Sequence, residues 1–183
     1  MAPRRAATAA LTLALLAFPV SSNAVPAFSA GPEKGKSSAR KLEWLAFDAA
    51  AEKAAKQNKH MIVDIYTNWC GWCRVMERET YGNAEVATYL TENFVLAKVN
   101  GESPSKLHWN GEELSERQFA RKVGVSGYPA TYFMKPNSEL LGGVPGFIRP
   151  PDFMIYTKYV ATRWYQRGKI QEYVDSLRAS TAP

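Results

Sequence analysis

Residues 61–73, Met61-Ile62-Val63-Asp64-Ile65-Tyr66-Thr67-Asn68-Trp69-Cys70-Gly71-Trp72-Cys73, decide how the rest of the chain is read. Met61 to Thr67 is a short, nearly continuous apolar run, the pattern of a strand covered on both faces inside a parallel sheet. One acid, Asp64, interrupts it. Immediately after the strand come Cys70 and Cys73, the only two cysteines of the 183-residue chain. A helix is predicted from Cys70 to about Thr80, so the pair falls where a buried strand turns into a helix. A thiol there meets the unpaired N–H groups of the first turn and the positive end of the helix dipole, which favour thiolate over thiol. Cys70 is therefore a candidate nucleophile. Cys73, expected one turn deeper, is placed to attack a mixed disulfide formed by Cys70 and to close a local disulfide. Arg74 and Lys98 are candidates for further positive potential.

Outward from this stretch, Ala39 to Asn58 is rich in strong helix formers, with Leu42, Leu45, Ala49 and Ala50 near one face, and reads as an amphipathic helix. Asn83 reads as the N-cap of a short helix, AEVATYL. Phe94 to Val99 is the next strand, Glu112 to Lys122 a helix, and Thr131–Met134 with Leu140–Val144 are strands around a Lys135-Pro136-Asn137-Ser138 turn. Pro150-Pro151-Asp152 opens another helix, and Lys169 to Arg178 forms a last one beyond Gly168. This alternation is α/β with some antiparallel sheet. Trp44, Phe47, Trp109, Phe153, Tyr156, Tyr159 and Trp164 read as packing residues. The charges Glu112, Glu113, Glu116 and Arg117 read as a wet helix face.

Arg4 and Arg5 precede an apolar stretch, Ala9 to Val20, and then Ser22-Asn23-Ala24, whose small residues suit a signal-peptidase site. The expectation is a Sec-type leader over residues 1–24, cleaved after Ala24, a flexible Pro/Gly/Ser/Lys lead-in over 25–38, and one domain over 39–183. The protein is then exported, to a periplasm or a similar space. The apolar run is short for a membrane-spanning helix, so no span is expected after cleavage. Composition, 46% hydrophobic and 22% charged, is that of a folded globule rather than a disordered chain. The formal charge of +6 falls to +4 once the two leader arginines are gone, and no basic run interleaved with aromatics is present, so nucleic acid is not an expected partner. His60 and His108, the only histidines, lack ligand-like spacing, and no metal is expected.

The chain resembles the thioredoxin superfamily. Val63-Asp64-Ile65 is similar to the strand whose buried acid lies six residues before the first active-site cysteine. Trp69-Cys70-Gly71-Trp72-Cys73 resembles the WCGxC site, Ala97-Lys98-Val99-Asn100 the following strand, and Val125-Ser126-Gly127-Tyr128-Pro129-Ala130-Thr131 the segment carrying a cis-proline. Trp44, Arg78-Glu79-Thr80-Tyr81, Val86, Gly146-Phe147 and Phe153 bring it nearest to the exported branch, similar to the C-terminal periplasmic domain of the disulfide reductase DsbD.

The resemblance implies a thioredoxin fold: a central mixed sheet flanked by helices, with an N-terminal helix and an extended helical C-terminus. It also implies a thiol-disulfide oxidoreductase without a bound cofactor. Cys70 attacks, Cys73 resolves, and Asp64, buried beneath them, accepts the Cys73 proton. Pro129, as a cis residue, brings the backbone of Tyr128 beside the disulfide to hold an extended substrate, with Trp69, Gly71 and Trp72 forming the rim. Partners are substrate proteins with disulfides and a membrane electron donor, and nothing reads as a dimer stem, so a monomer is expected. The direction read is reduction, with an oxidase or isomerase as the alternative within the class. Outside it stands a peptide-binding module with a structural disulfide. Three departures bear on the choice: Trp72 in place of a proline or small residue, an insertion over Ser103–Gly111, and a long aromatic tail over Phe153–Leu177.

Overall fold

Seven consecutive sheet residues, His60–Tyr66, form β2, the middle strand of a five-stranded sheet. The computed structural model describes residues 41–181, and the expected leader and lead-in lie outside them. With β1 (Trp44–Leu45), β3 (Phe94–Asn100), β6 (Ala130–Met134) and β7 (Leu140–Pro145), the strand order is β1-β3-β2-β6-β7. Strands β1, β3 and β2 run parallel, whereas β6 pairs antiparallel with β2 and β7 with β6. The sheet is mixed, as expected.

Alternation along β2 sorts its side chains between two layers. Met61, Val63 and Ile65 meet Phe47, Ala50 and Ala54 of α1 (Phe47–Gln57) and Phe119 of α4 (Glu116–Lys122). Ile62 points the other way, into Met76 of α2 (Gly71–Met76), Val86 and Leu90 of α3 (Ala84–Asn93), and Phe153 of α5 (Pro150–Ala161). Each large apolar side chain so enclosed contributes roughly 1.5–3 kcal/mol. Asp64, two residues beyond Ile62, faces this second layer, where the Tyr81 hydroxyl meets it. α6 (Ile170–Thr181) follows a 3-10 turn at Trp164–Gln166 and completes the helical C-terminus.

Three expected elements differ. The first helix begins at Phe47, not Ala39, because Trp44 and Leu45 are taken by the sheet edge, paired with Leu96 and Ala97. Helix propensity is a weak preference that tertiary pairing overrides. Glu112 to Ser115 is a strand, β5, paired antiparallel with β4 (Lys106–Trp109) through an Asn110-Gly111 turn with both residues at positive φ, 53° and 79°. Asn-Gly is the dipeptide a two-residue hairpin turn requires, so the expected insertion is largely a hairpin whose Leu107, Trp109 and Leu114 join the core. The helix there starts only after Ser115, whose hydroxyl accepts the Gln118 N–H in a capping box. Finally, the helix after the cysteines stops being α-helical at Met76 and continues as a π-helical turn, Glu77–Tyr81.

Candidate active site

Cys70 closes the turn after β2, its N–H donating to Thr67 O at 3.2 Å, and caps α2 with its own sulfur, which accepts the Cys73 N–H at 3.0 Å. The two cysteines are joined as a disulfide with Cα atoms 5.3 Å apart. In a reduced chain the same N–H would aim at a thiolate, which it stabilises as a charge-assisted bond. In this disulfide state Cys70 is 3% exposed and Cys73 half-buried, opposite to the expected depth order. The cap is enclosed by the turn it closes, while Cys73 lies on a partly open side of α2.

Asp64 is 4% exposed. Tyr81, the last residue of the π-helical turn, donates its hydroxyl to Oδ1 at 3.1 Å. Lys98, opposite Asp64 in the β2–β3 register, brings Nζ to 4.0 Å from Oδ2 but to 2.5 Å from Glu77. Burial raises the Asp64 carboxyl from 3.8 to about 6, against the opposing pull of Lys98 and the Tyr81 hydrogen bond, and with a further push from Glu77. An acid so placed is mostly ionised at neutral pH yet binds a proton readily, the property a proton acceptor needs. Burial and the nearby Asp64 charge push the Tyr81 phenol well above its ordinary value, so it stays a donor. Lys98 also lies over the rings of Trp44 and Tyr66, at 5.0 and 5.6 Å.

The Tyr128–Pro129 peptide bond is cis, as expected. Tyr128 stands edge-on to Trp69 with centroids 6.0 Å apart, and Trp69 Nε1 donates to Glu102 at 2.9 Å. Trp72 lies 5.7 Å from the ring of Phe147. At 64% and 62% exposure, Trp69 and Trp72 are open apolar surface flanking the cysteines. Among the described residues, no backbone hydrogen bond engages Ser126, Gly127 or Tyr128. Their N–H and C=O groups are free for an added strand.

Sequence reasoning placed Cys70, Cys73, Asp64 and Pro129 but gave no role to Tyr81, Glu77, Glu102 or Phe147. Glu102 lies two residues beyond the end of β3 and could have been found as a polar partner for an exposed indole. Tyr81 carried no such signal, because its reach to Asp64 depends on the π-helical turn.

A family model described as a thioredoxin-like domain matches residues 47–161. Human spermatogenesis-associated protein 20 is 36% identical over 112 residues, 61% of this chain and 14% of that protein. The chain spans less than a fifth of the length of the first curated relatives it matches, 18% for a Caenorhabditis elegans protein and 14% for the human one. Among solved structures, a thioredoxin from Thermus thermophilus superposes with a TM-score of 0.55 at 22% identity, over 65% of this chain and 86% of that one. The DsbH oxidoreductase does so with a TM-score of 0.54 at 19% identity, over 73% and 93%. At these identities the likeness is one of fold.

Proposed function

The chain belongs to the thioredoxin-like domain family, and from that premise we propose that it is an exported thiol-disulfide oxidoreductase reducing disulfides of proteins. The observation that carries the reading is the Cys73 N–H aimed at the Cys70 sulfur at the start of α2, on the sheet face where Asp64 is buried.

In the reduced protein, the Cys70 thiolate attacks one sulfur of a substrate disulfide. A Cys70–substrate bond forms and the second substrate sulfur leaves as thiolate. Cys73 passes its proton to the Asp64 carboxylate and attacks Cys70 Sγ, expelling the first substrate sulfur and forming the Cys70–Cys73 disulfide. Two electrons have then moved from the dithiol to the substrate. The free backbone of Tyr128 beside Pro129 would align the substrate as an added strand, and Trp69, Gly71 and Trp72 would cover the exchanging sulfurs. In an oxidising compartment the disulfide must be recharged by a dithiol donor, which we place at the membrane. A leader ending at Ala24 would export the domain over 39–183. No helix among the described residues is long and apolar enough to cross a membrane.

The test is the equilibrium reduction potential of the Cys70–Cys73 pair, titrated in dithiothreitol buffers and followed by the fluorescence of Trp69 and Trp72. A value of about −270 mV supports a reductant, and one of about −120 mV overturns the direction in favour of an oxidase.

A further inference from the structure

Beside Tyr128 lies a cavity of about 950 Å³. Its walls come from Asn68 before the cysteines, Gly101 to Pro104 after β3, Arg117 and Arg121 on α4, and Tyr128 before the cis-proline. Its charge is predominantly positive. Arg117 is fixed, its Nε and Nη2 donating to the Glu102 carbonyl at 3.2 and 2.7 Å. Arg74 reaches the Asn68 carbonyl at 3.4 Å and adds a third guanidinium at the border. The lining carboxylate, Glu102, is turned to the Trp69 indole at 2.9 Å. Glu116, at the start of α4, is held by the Asn100 N–H at 3.3 Å. Lys122, the neighbour of Arg121, is neutralised by Glu112. Arg121 lines the cavity with no carboxylate bound to it among the described residues.

We propose that this cavity is a specificity pocket that takes an acidic side chain of the substrate polypeptide, with Arg121 as its ion-pairing partner and Arg117 as the wall that holds the pocket's shape. The inference rests on the oxidoreductase reading and names the class of substrate within it. Ser126, Gly127 and Tyr128 line the same cavity as Arg121, so a polypeptide paired along them would present a residue a few positions from its reacting cysteine to Arg121. Arg117 and Arg121 are exposed at the mouth of this concavity, and a planar guanidinium there recognises a carboxylate bidentately. Charge complementarity of this kind acts chiefly on specificity and on encounter.

The experiment uses two peptides, each with one disulfide, identical except that the residues flanking one cysteine are Asp and Glu in the first and Lys and Gln in the second. The reduced protein and its Arg121→Ala and Arg121→Glu variants are assayed on both, and kcat/KM for the acidic peptide is divided by that for the basic one. Because each ratio is internal to one protein sample, partial loss of folded material does not affect it. The expected ratio is about tenfold in favour of the acidic peptide, near one in Arg121→Ala, and inverted in Arg121→Glu, with the preference fading in high salt. Equal reduction of both peptides by all three proteins overturns the pocket and leaves the oxidoreductase reading intact. Failure to reduce either peptide overturns both.

Discussion

The Lys98 ammonium lies 4.0 Å from the buried Asp64 carboxylate but 2.5 Å from the more exposed Glu77, so the cation nearest the buried acid is shared with a competitor. Had Lys98 been given to Asp64 alone, the pair would have held the carboxyl nearer its ordinary range, because an opposite charge at that distance offsets desolvation. Sharing leaves burial dominant, and the acid titrates at about 6.

The consequence for stability has a definite sign. The folded carboxyl holds its proton more tightly than the unfolded one, so its favourable contribution is complete below about pH 4 and is lost as pH climbs through 6. The rise from 3.8 to about 6 is equivalent to about 3 kcal/mol. Asp64→Asn should therefore gain about 3 kcal/mol over the parent at pH 8 relative to the difference at pH 3, measured by denaturant unfolding of the oxidised forms. A difference that does not change between the two pH values would contradict the buried, proton-binding acid. The same variant should lose the inflection near pH 6 in the rate at which Cys73 resolves a mixed disulfide.

The two cysteines should separate by single substitution. Cys73→Ser keeps the attacking thiol but cannot resolve, so it should accumulate a stable covalent adduct with a disulfide peptide, visible by mass spectrometry. Cys70→Ser should form far less. A higher adduct yield from Cys70→Ser would reverse the assigned order of attack, the outcome that the greater exposure of Cys73 in the disulfide state would favour.

Gly101 has little room for a side chain: a Cβ there would come 2.4 Å from the Tyr128 hydroxyl and 2.6 Å from its ring. Gly101→Ala should therefore push Tyr128 from its edge-on contact with Trp69. The expected result is a KM for peptide disulfides raised about tenfold, equivalent to about 1.4 kcal/mol, with the reduction potential held. An unchanged KM would show that the position of Tyr128 is not used in holding substrate.

α3 depends on the residue that caps it. Asn83 Oδ1 accepts from both Glu85 N–H, at 3.0 Å, and Val86 N–H, at 3.1 Å. Asn83→Ala should cost about 1 kcal/mol, read as a lower unfolding midpoint at unchanged slope. No loss would mean that water replaces the cap fully.

Much of this was legible in residues 61–73, because a buried strand, a lone acid and a cysteine pair at a helix start each impose a local pattern. Asn83 as a cap and the two strands around Lys135–Ser138 were equally local. Trp44 was not: surrounded by helix formers, it is a strand residue only because β3 lies beside it. The hairpin at Asn110-Gly111 was legible in principle and was obscured by the helical look of the residues after it. The pairing of Trp69 with Glu102 and of Tyr81 with Asp64 spans 33 and 17 residues, and no periodicity in a single sequence encodes contacts of that range.

The π-helical turn at Glu77–Tyr81 works through angle. Each residue of an α-helix turns its side chain about 100° around the axis, and a wider turn holds that rotation back by a residue's worth. Tyr81 thereby arrives at the azimuth facing the sheet. With one residue fewer between Cys73 and Tyr81, the phenol would swing away from the sheet and Asp64 would lose its hydroxyl donor with no side chain altered. Along this stretch a deletion is thus an electrostatic mutation: the count of residues, as much as their identity, sets how the buried acid titrates.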